Sequence, residues 1–183
     1  MTNRLIIGGV RSGKSHFAKE LALRLDKPVL FVATAVAGDE EMRQRIEEHR
    51  RTRPAAWKTL EVTTRVGTRI RQQIGNAQVV IVDCITLLIN NIFGQYTDQT
   101  GEHIDASLIE EEVTREIDEL VECIKHLDVS FIMVTNEVGM GIVPATEVGR
   151  LYRDLLGKAN RLLAQQADEV YLMVAGLPLL IKS

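Results

Sequence analysis

An α/β fold with a mostly parallel sheet flanked by helices is what this sequence predicts, and three observations predict it. Short apolar runs alternate with amphipathic segments from one end to the other, the pattern of strands joined by crossover helices. Between the first apolar run and the first amphipathic segment stands GGVRSGKS, which fits G-x-x-x-x-G-K-[ST] in the strand-to-helix context that gives the pattern its meaning. A later apolar run, QVVIVD, ends in Asp83, a carboxylate at a strand end of the kind that accompanies such a loop. The class is therefore a P-loop NTPase.

Each element follows from the residues in turn. Arg4 to Ile7 reads as the first strand and Lys14 to Leu25 as its helix. Pro28 to Ala35 (PVLFVATA) is a second strand. Asp39 to Arg51 is a charged helix that must stop near Pro54, because proline disfavours helical geometry in the residue ahead of it. Residues 58–62 form a short strand, Val66, Ile70 and Ile74 mark one helical face, and Gln78 to Asp83 is a buried strand. Cys84 to Phe93 reads as a helix and residues 94–105 (GQYTDQTGEHID) as the longest loop. From Ala106 to Leu127 the apolar residues Leu108, Ile109, Val113, Ile117, Leu120, Val121 and Ile124 keep helical spacing. Val129 to Thr135 is a strand, after which NEVGMGIVP leads into a helix from Thr146 to about Gln166. EVYLMV, a Gly-Leu-Pro turn and LLIK form a hairpin at the sheet edge, where Pro178 is tolerated.

Residues 1–183 are expected to make one catalytic domain, since nothing in the chain reads as a linker or repeat. A net charge of -3, with 26% charged and 45% hydrophobic residues, gives no basic excess for a nucleic-acid partner. Cys84 and Cys123 match neither a disulfide framework nor a zinc spacing. The opening MTNRLIIGG has no signal-peptide pattern, and no apolar run approaches the ~20 residues that cross a bilayer, so a cytoplasmic protein is expected.

The loop comprises Gly8, Gly9, Val10, Arg11, Ser12, Gly13, Lys14 and Ser15. Its glycines let backbone N–H groups face phosphate oxygens, Lys14 reaches the β and γ phosphates, and the Ser15 hydroxyl suits Mg²⁺. Asp83 either completes that metal site or caps the helix after it. Where a guanine-specific switch protein carries Asn-Lys-x-Asp, this chain has Asn136-Glu137-Val138-Gly139, which weakens a switch reading. Asn136 and Glu137 close a strand on the side where ligands bind an open parallel sheet, so they are candidate substrate contacts; the Pro and glycines that follow are also simply turn-formers.

His49 raises a separate question. It shares a helical face with Met42 and Ile46, which suits the rim of a packed stripe, but it also stands among Arg45, Arg50, Arg51 and Arg53. Positive neighbours favour the neutral, nucleophilic imidazole and can steady a phosphate under attack, although Glu47 and Glu48 offset them in part. With the β and γ phosphates gripped by the loop, attack at the α phosphorus would expel pyrophosphate and leave a phosphoramidate. His16, His103 and His126 lack comparable surroundings and read as structural or exposed. A small-molecule kinase with a structural His49, and a nucleotide-gated binding module, are the alternatives.

GGVRSGKS, VATA with DEEMRQRIEEHRRTRPAAWKTLE, VDCITLLINN, TNEVGMGIVP and ADEVYLMVAGLPLLIK together resemble the bifunctional adenosylcobinamide kinase / adenosylcobinamide-phosphate guanylyltransferase family of cobalamin biosynthesis. The resemblance spans nearly the whole chain, and H-x-x-x-R-P-x-x-W and TNEVGMGIVP are its specific parts. It implies a RecA-like sheet and a homotrimer. It also implies phosphorylation of adenosylcobinamide by ATP or GTP, then transfer of GMP from GTP through a guanylyl-histidine to adenosylcobinamide phosphate, releasing pyrophosphate. On this resemblance His49 and Lys14 are catalytic, and Thr34, Ala35, Val36, Arg50, Arg51, Thr52, Arg53, Glu61 and Asp83 join the loop in holding nucleotide. Two departures stand out. Glu48 occupies the place where some members have a second histidine, and Asp83 the place where some have glutamate.

Overall fold

The computed structural model describes residues 1–38, 40–97 and 104–183, the Arg45 side chain excepted. In chain order the elements are β1 (Arg4–Gly8), α1 (Lys14–Leu25), β2 (Val29–Ala33), α2 (Glu40–Arg51), β3 (Lys58–Glu61), α3 (Val66–Gln73), β4 (Val79–Asp83), α4 (Ile85–Tyr96), α5 (Ala106–His126), β5 (Ser130–Asn136), α6 (Glu147–Gln166), β6 (Glu169–Val174) and β7 (Leu177–Lys182). The strands form one 7-stranded sheet in the order β3-β2-β4-β5-β1-β6-β7. Every pairing is parallel except that of β6 with β7.

Strand residues alternate between two apolar layers because successive side chains point to opposite faces. Leu30, Val32, Val80, Val82, Phe131 and Met133 pack toward the layer of α3, α4, α5 and α6. Val29, Phe31, Val79, Ile81, Ile132 and Val134 face the opposite layer with Phe17, Ala18 and Ala22 of α1. Strands β2 and β4 are almost wholly buried, as expected of central strands covered on both faces. Burying a side chain such as Ile81 or Leu88 contributes about 1.5–3 kcal/mol. The two long helices of the larger layer, α5 and α6, carry side-chain caps, Asp105 accepting from the Leu108 N–H and Thr146 from the Gly149 N–H.

Register positions the functional groups. Gly8 pairs with Asn136, Asp83 with Val134 and with Ala33, and Ala33 with Glu61. The P-loop, Asn136, Asp83 and Glu61 therefore stand in a row along the carboxyl edge of the sheet, where an open α/β sheet binds its ligands.

Three element expectations need correction. The C-terminal hairpin turns at Ala175–Gly176, not at Gly-Leu-Pro: both turn residues have positive φ, 50° and 84°, the pairing that matches the twist of two antiparallel strands, and Pro178 lies within the edge strand. Helix α4 continues to Tyr96, and Thr97 bridges Ile104, so much of the expected 94–105 loop is structured at its ends. Strand boundaries shift as well: β5 runs one residue further, to Asn136, and the second strand, expected over Pro28 to Ala35, ends at Ala33, so that Thr34 and Ala35 lie beyond it. Asp39 and His103 lie outside the described residues.

Candidate active site

The loop between β1 and α1 is closed by local chemistry. A Cβ on Gly8 would sit 2.5 Å from the Met173 carbonyl oxygen, so only glycine lets β6 approach here. Gly13 holds φ at 94°, a left-handed conformation that opens α1 without steric cost. Arg11 also has positive φ, 55°, which is uncommon for a residue with a side chain and recurs where ligands bind. The Gly176 N–H of the distant hairpin turn donates to the Ser12 carbonyl at 3.1 Å, bracing the loop from outside. Lys14 is buried, 8% exposed, and its ammonium donates to the Gly9 carbonyl at 2.5 Å.

From this loop a cleft runs to α2. Its loop end, about 560 Å³, is lined by Val10 to His16, Asn136 and the α2 residues Gln44, Glu48 and His49. Its inner end, about 250 Å³, is lined by Phe31, Ala33, Ala35, Met42, Ile46, Arg50, Arg53 and Glu61. Ser15, His49, Asp83, Cys84 and Leu87 border both ends, which makes the two one continuous space. Met42, Ile46 and His49 are the half-buried residues on α2 and all line it. The helical face noticed in the sequence is therefore the roof of the cleft.

Two buried side-chain atoms at this cleft have no hydrogen-bond partner among the described residues: Ser12 Oγ in the loop and Arg53 Nε beyond α2. Buried polar groups are nearly always paired, so each asks for a ligand atom. The rest of the Arg53 guanidinium is held in place, donating to Thr59 Oγ1 at 2.8 Å and lying 3.8 Å above the Phe31 ring, which stacks on Trp57. Burial pulls the Arg53 pKa below its ordinary value against the opposing charges of Asp83 and Glu61. Arg50 pairs with Glu61, its Nε donating to Oε1 at 3.0 Å. Burial first, and then the charge of Asp83, push the Cys84 thiol up to about 12, so although the residue keeps some accessible surface it is no thiolate nucleophile at neutral pH.

The expected residues separate into groups. Gly8 forms the loop's entry, and Val10, Arg11, Ser12, Gly13, Lys14, Ser15, Ala35, His49, Arg50, Arg53, Glu61, Asp83 and Asn136 border the cleft, with Gly9 meeting the Lys14 ammonium. Val36 is exposed in an adjoining hollow. Thr34 is fully buried and exchanges hydrogen bonds with Cys84, its hydroxyl donating to the carbonyl at 2.7 Å and accepting from the N–H at 2.8 Å. It ties the ends of β2 and β4 together. Arg51 and Thr52 lie outside the lining; Thr52 Oγ1 instead accepts from Lys19 Nζ at 3.0 Å. Glu137 is engaged locally, its carboxylate accepting from the Gly139 N–H at 2.6 Å. His16, expected to be structural or exposed, is exposed at the mouth of the cleft. Sequence reasoning missed Leu87, Lys19 and Asn91, whose side chain joins the Thr34 and Thr63 carbonyls at 2.8 and 3.1 Å. No local motif marks these three, because their roles depend on contacts between distant segments.

Ser15 and Asp83 on one wall suit a magnesium ion, which takes one or two protein oxygens and fills its shell with phosphate and water. Among the described residues no group of three or more His, Cys, Asp or Glu forms an all-protein metal site. The cleft can thus grip a triphosphate at the loop end, hold a metal beside it and present an imidazole from above.

Comparison with known proteins adds to this geometry. The model of a family described as cobinamide kinase / cobinamide phosphate guanyltransferase matches residues 4–181. The bifunctional adenosylcobalamin biosynthesis protein CobU of Escherichia coli (strain K12) is 37% identical over 179 residues, covering 97% of this chain and 98% of that protein. Its namesake from Salmonella typhimurium is 38% identical over 180 residues, with 97% and 98% covered. Among solved structures, the RadB recombinase matches with TM-score 0.52 at 16% identity, covering 93% of this chain and 73% of that one. An ATPase from a bacterial type III secretion system gives TM-score 0.53 at 12% identity, over 93% of this chain and 50% of its own. At those identities the likeness is one of fold, and it agrees with the RecA-like P-loop sheet.

Proposed function

The chain belongs to the cobinamide kinase / cobinamide phosphate guanyltransferase family, and from that membership we propose that it carries out both reactions in the one cleft between the P-loop and α2. In the first, the adenosylcobinamide hydroxyl attacks the γ phosphorus of ATP or GTP held by the loop. In the second, a ring nitrogen of His49 attacks the α phosphorus of GTP. A P–N bond forms as the P–O bond to the β phosphate breaks, and pyrophosphate leaves. The phosphate of adenosylcobinamide phosphate then displaces the imidazole, giving adenosyl-GDP-cobinamide.

The observation that carries this reading is the shared border of the cleft: Ser15, Asp83 and His49 face one space, so a nucleotide gripped at the loop lies within reach of the imidazole. Lys14 neutralises the phosphates. Arg53, with an orphaned buried Nε, and Arg50 stand at the inner end, which on this reading receives the nucleoside side of GTP. Ser15 and Asp83 would hold a magnesium ion, which would supply charge neutralisation on the leaving phosphates. With its thiol pushed up to about 12, Cys84 does not compete with His49 as a nucleophile at the shared border.

Self-association belongs to the same reading. Strand β7 is exposed along its length and carries Leu177, Leu179 and Ile181, while Met140, Ile142 and Val143 are exposed in the β5–α6 loop. Such unsheltered apolar surface and a free sheet edge suit an interface, and a homotrimer is the form we propose. Sedimentation equilibrium at the mass of three chains supports it; a monomer at assay concentrations removes it.

The chemistry is tested by incubating the protein and its His49→Ala variant with Mg²⁺ and GTP labelled at the α or the γ phosphate, then denaturing. Retained α label that is stable in base, labile in acid and absent from the variant supports the phosphoramidate. If nucleotide binds and neither label is retained, His49 has no covalent role and a kinase without nucleotidyl transfer takes its place.

A further inference from the structure

We propose that the polar hollow on the far side of Glu61 from the P-loop receives the phosphate-bearing end of the acceptor during guanylyl transfer, with Arg65 and Arg69 gripping its phosphate. This rests on the His49 reading above. The hollow has a volume of about 600 Å³ and is lined by Thr63, Thr64, Arg65, Thr68, Arg69 and Gln72. It shares Ala35 and Glu61 with the inner end of the His49 cleft, and no P-loop residue lines it. An acceptor seated there borders the inner end of the cleft that His49 lines, without entering the space that the β and γ phosphates need.

The positive charge of the hollow comes from the two guanidiniums, and Glu61, the carboxylate on the wall it shares with the cleft, is paired with Arg50. Helix α3 begins at its edge, but the Arg65 and Val66 N–H groups both donate to the Glu116 carboxylate, at 2.6 and 2.7 Å, so the helix terminus is already satisfied. Arg65 and Arg69 are both exposed, and neither guanidinium has an ion pair or hydrogen bond among the described residues. Two unpaired arginines on one wall suit a phosphomonoester dianion. The hydroxyls of Thr63 and Thr64 and the amide of Gln72 suit the amide groups that fringe a corrin macrocycle. The wall is preformed: Asn91 ties the Thr63 carbonyl to the Thr34 carbonyl, and Thr68 is fixed by the Glu119 carboxylate at 3.0 Å.

In the step itself an oxygen of the acceptor phosphate forms a bond to the phosphorus carried by His49. The P–N bond breaks, and its electron pair returns to the ring nitrogen, leaving a neutral imidazole when the other nitrogen holds a proton. The attacking dianion has no proton to lose, so no base is required.

The experiment charges wild-type protein and the Arg65→Gln, Arg69→Gln and Arg69→Lys variants with α-labelled GTP. It then follows loss of label on addition of cobinamide phosphate or, separately, of pyrophosphate. The expected result is normal charging, normal discharge by pyrophosphate and unchanged GTP affinity. Discharge by cobinamide phosphate should need about tenfold more acceptor in the Gln variants, with partial recovery in Arg69→Lys. Unchanged acceptor dependence overturns the site, and a parallel loss of GTP affinity assigns the arginines to the nucleotide instead. If wild type does not charge at all, the His49 reading has failed. Equilibrium dialysis of cobinamide phosphate against the same proteins then decides the hollow independently, equal affinity in all of them overturning it.

Discussion

Lys14 stands at the start of a helix whose next turns bury Phe17, Ala18 and Ala22 against the sheet, whereas α2, which carries His49, has no buried residue among those described. The loop wall of the cleft is braced by β6 and by the hairpin turn. The α2 wall is attached by polar contacts at its two ends. An exposed Arg11–Glu41 pair at 3.7 Å spans the mouth, and Lys19 reaches Thr52 just past the last turn. Exposed ion pairs contribute little, and an element with few buried apolar contacts is displaced at low cost. The loop wall is thus built to be fixed and the helix that carries His49 to be adjustable. That division suits one site that must offer first the γ and later the α phosphorus to different attackers.

The largest effect that should expose this division comes from Lys14→Ala. Because both reactions depend on the fixed wall, phosphorylation and protein guanylylation should each fall by about 10²–10³-fold, as when one preorganised charge-stabilising group is removed. Parallel assays with γ- and α-labelled nucleotide check it; a loss confined to one reaction would mean that the two do not share the loop. His49→Ala is the complementary cut. Guanylylation should drop below detection while phosphorylation of cobinamide continues, and loss of both would make α2 part of the fixed wall.

Stability separates the walls as well. Ile81→Ala, in the strand beneath α1, should cost about 2–5 kcal/mol, and Ile46→Ala, on the roof, below about 1 kcal/mol, in urea unfolding with equal slopes. A comparable cost at Ile46 would show that α2 is packed as firmly as the core.

What could be read from the sequence divides along the same line. The loop wall is contiguous and obeys local rules, so the glycines, Lys14 and Ser15 are legible as a motif, and Asp83 as the end of an apolar strand. Met42, Ile46 and His49 are legible as a face because helical periodicity is local too. The partners of that face are not. Arg53 over Phe31, Asn91 bridging two strand ends, and Gly176 against Ser12 join segments far apart in the chain, and no spacing rule announces them. Thr34 shows the reverse case: the family resemblance implies a nucleotide contact there, while its hydroxyl exchanges hydrogen bonds with Cys84. The hairpin turn is placed one residue too late because Gly-Leu-Pro looks like a turn, while the geometry needs positive φ at Ala175 and Gly176.

The smallest expected effect tests the attachment of α2 itself. Lys19 Nζ donates to Thr52 Oγ1, and Thr52 Oγ1 lies 3.4 Å from the His49 carbonyl oxygen, so this contact steadies the end of the helix that bears His49. Lys19→Met should slow the charging of His49 by about three- to tenfold with cobinamide phosphorylation unchanged, in line with a modest loss of positioning. Its pH signature has a definite sign. Burial lowers the Lys19 pKa below its ordinary 10.5, against the opposing charge of Asp83. Between the lowered folded value and 10.5 the unfolded chain binds more protons, so this group makes stability rise with pH across that window. Thermal unfolding followed through the alkaline range should show a shallower rise in Lys19→Met than in wild type. If the two curves run parallel while charging still slows, Lys19 acts on the nucleotide's phosphates directly, and α2 is held by other means.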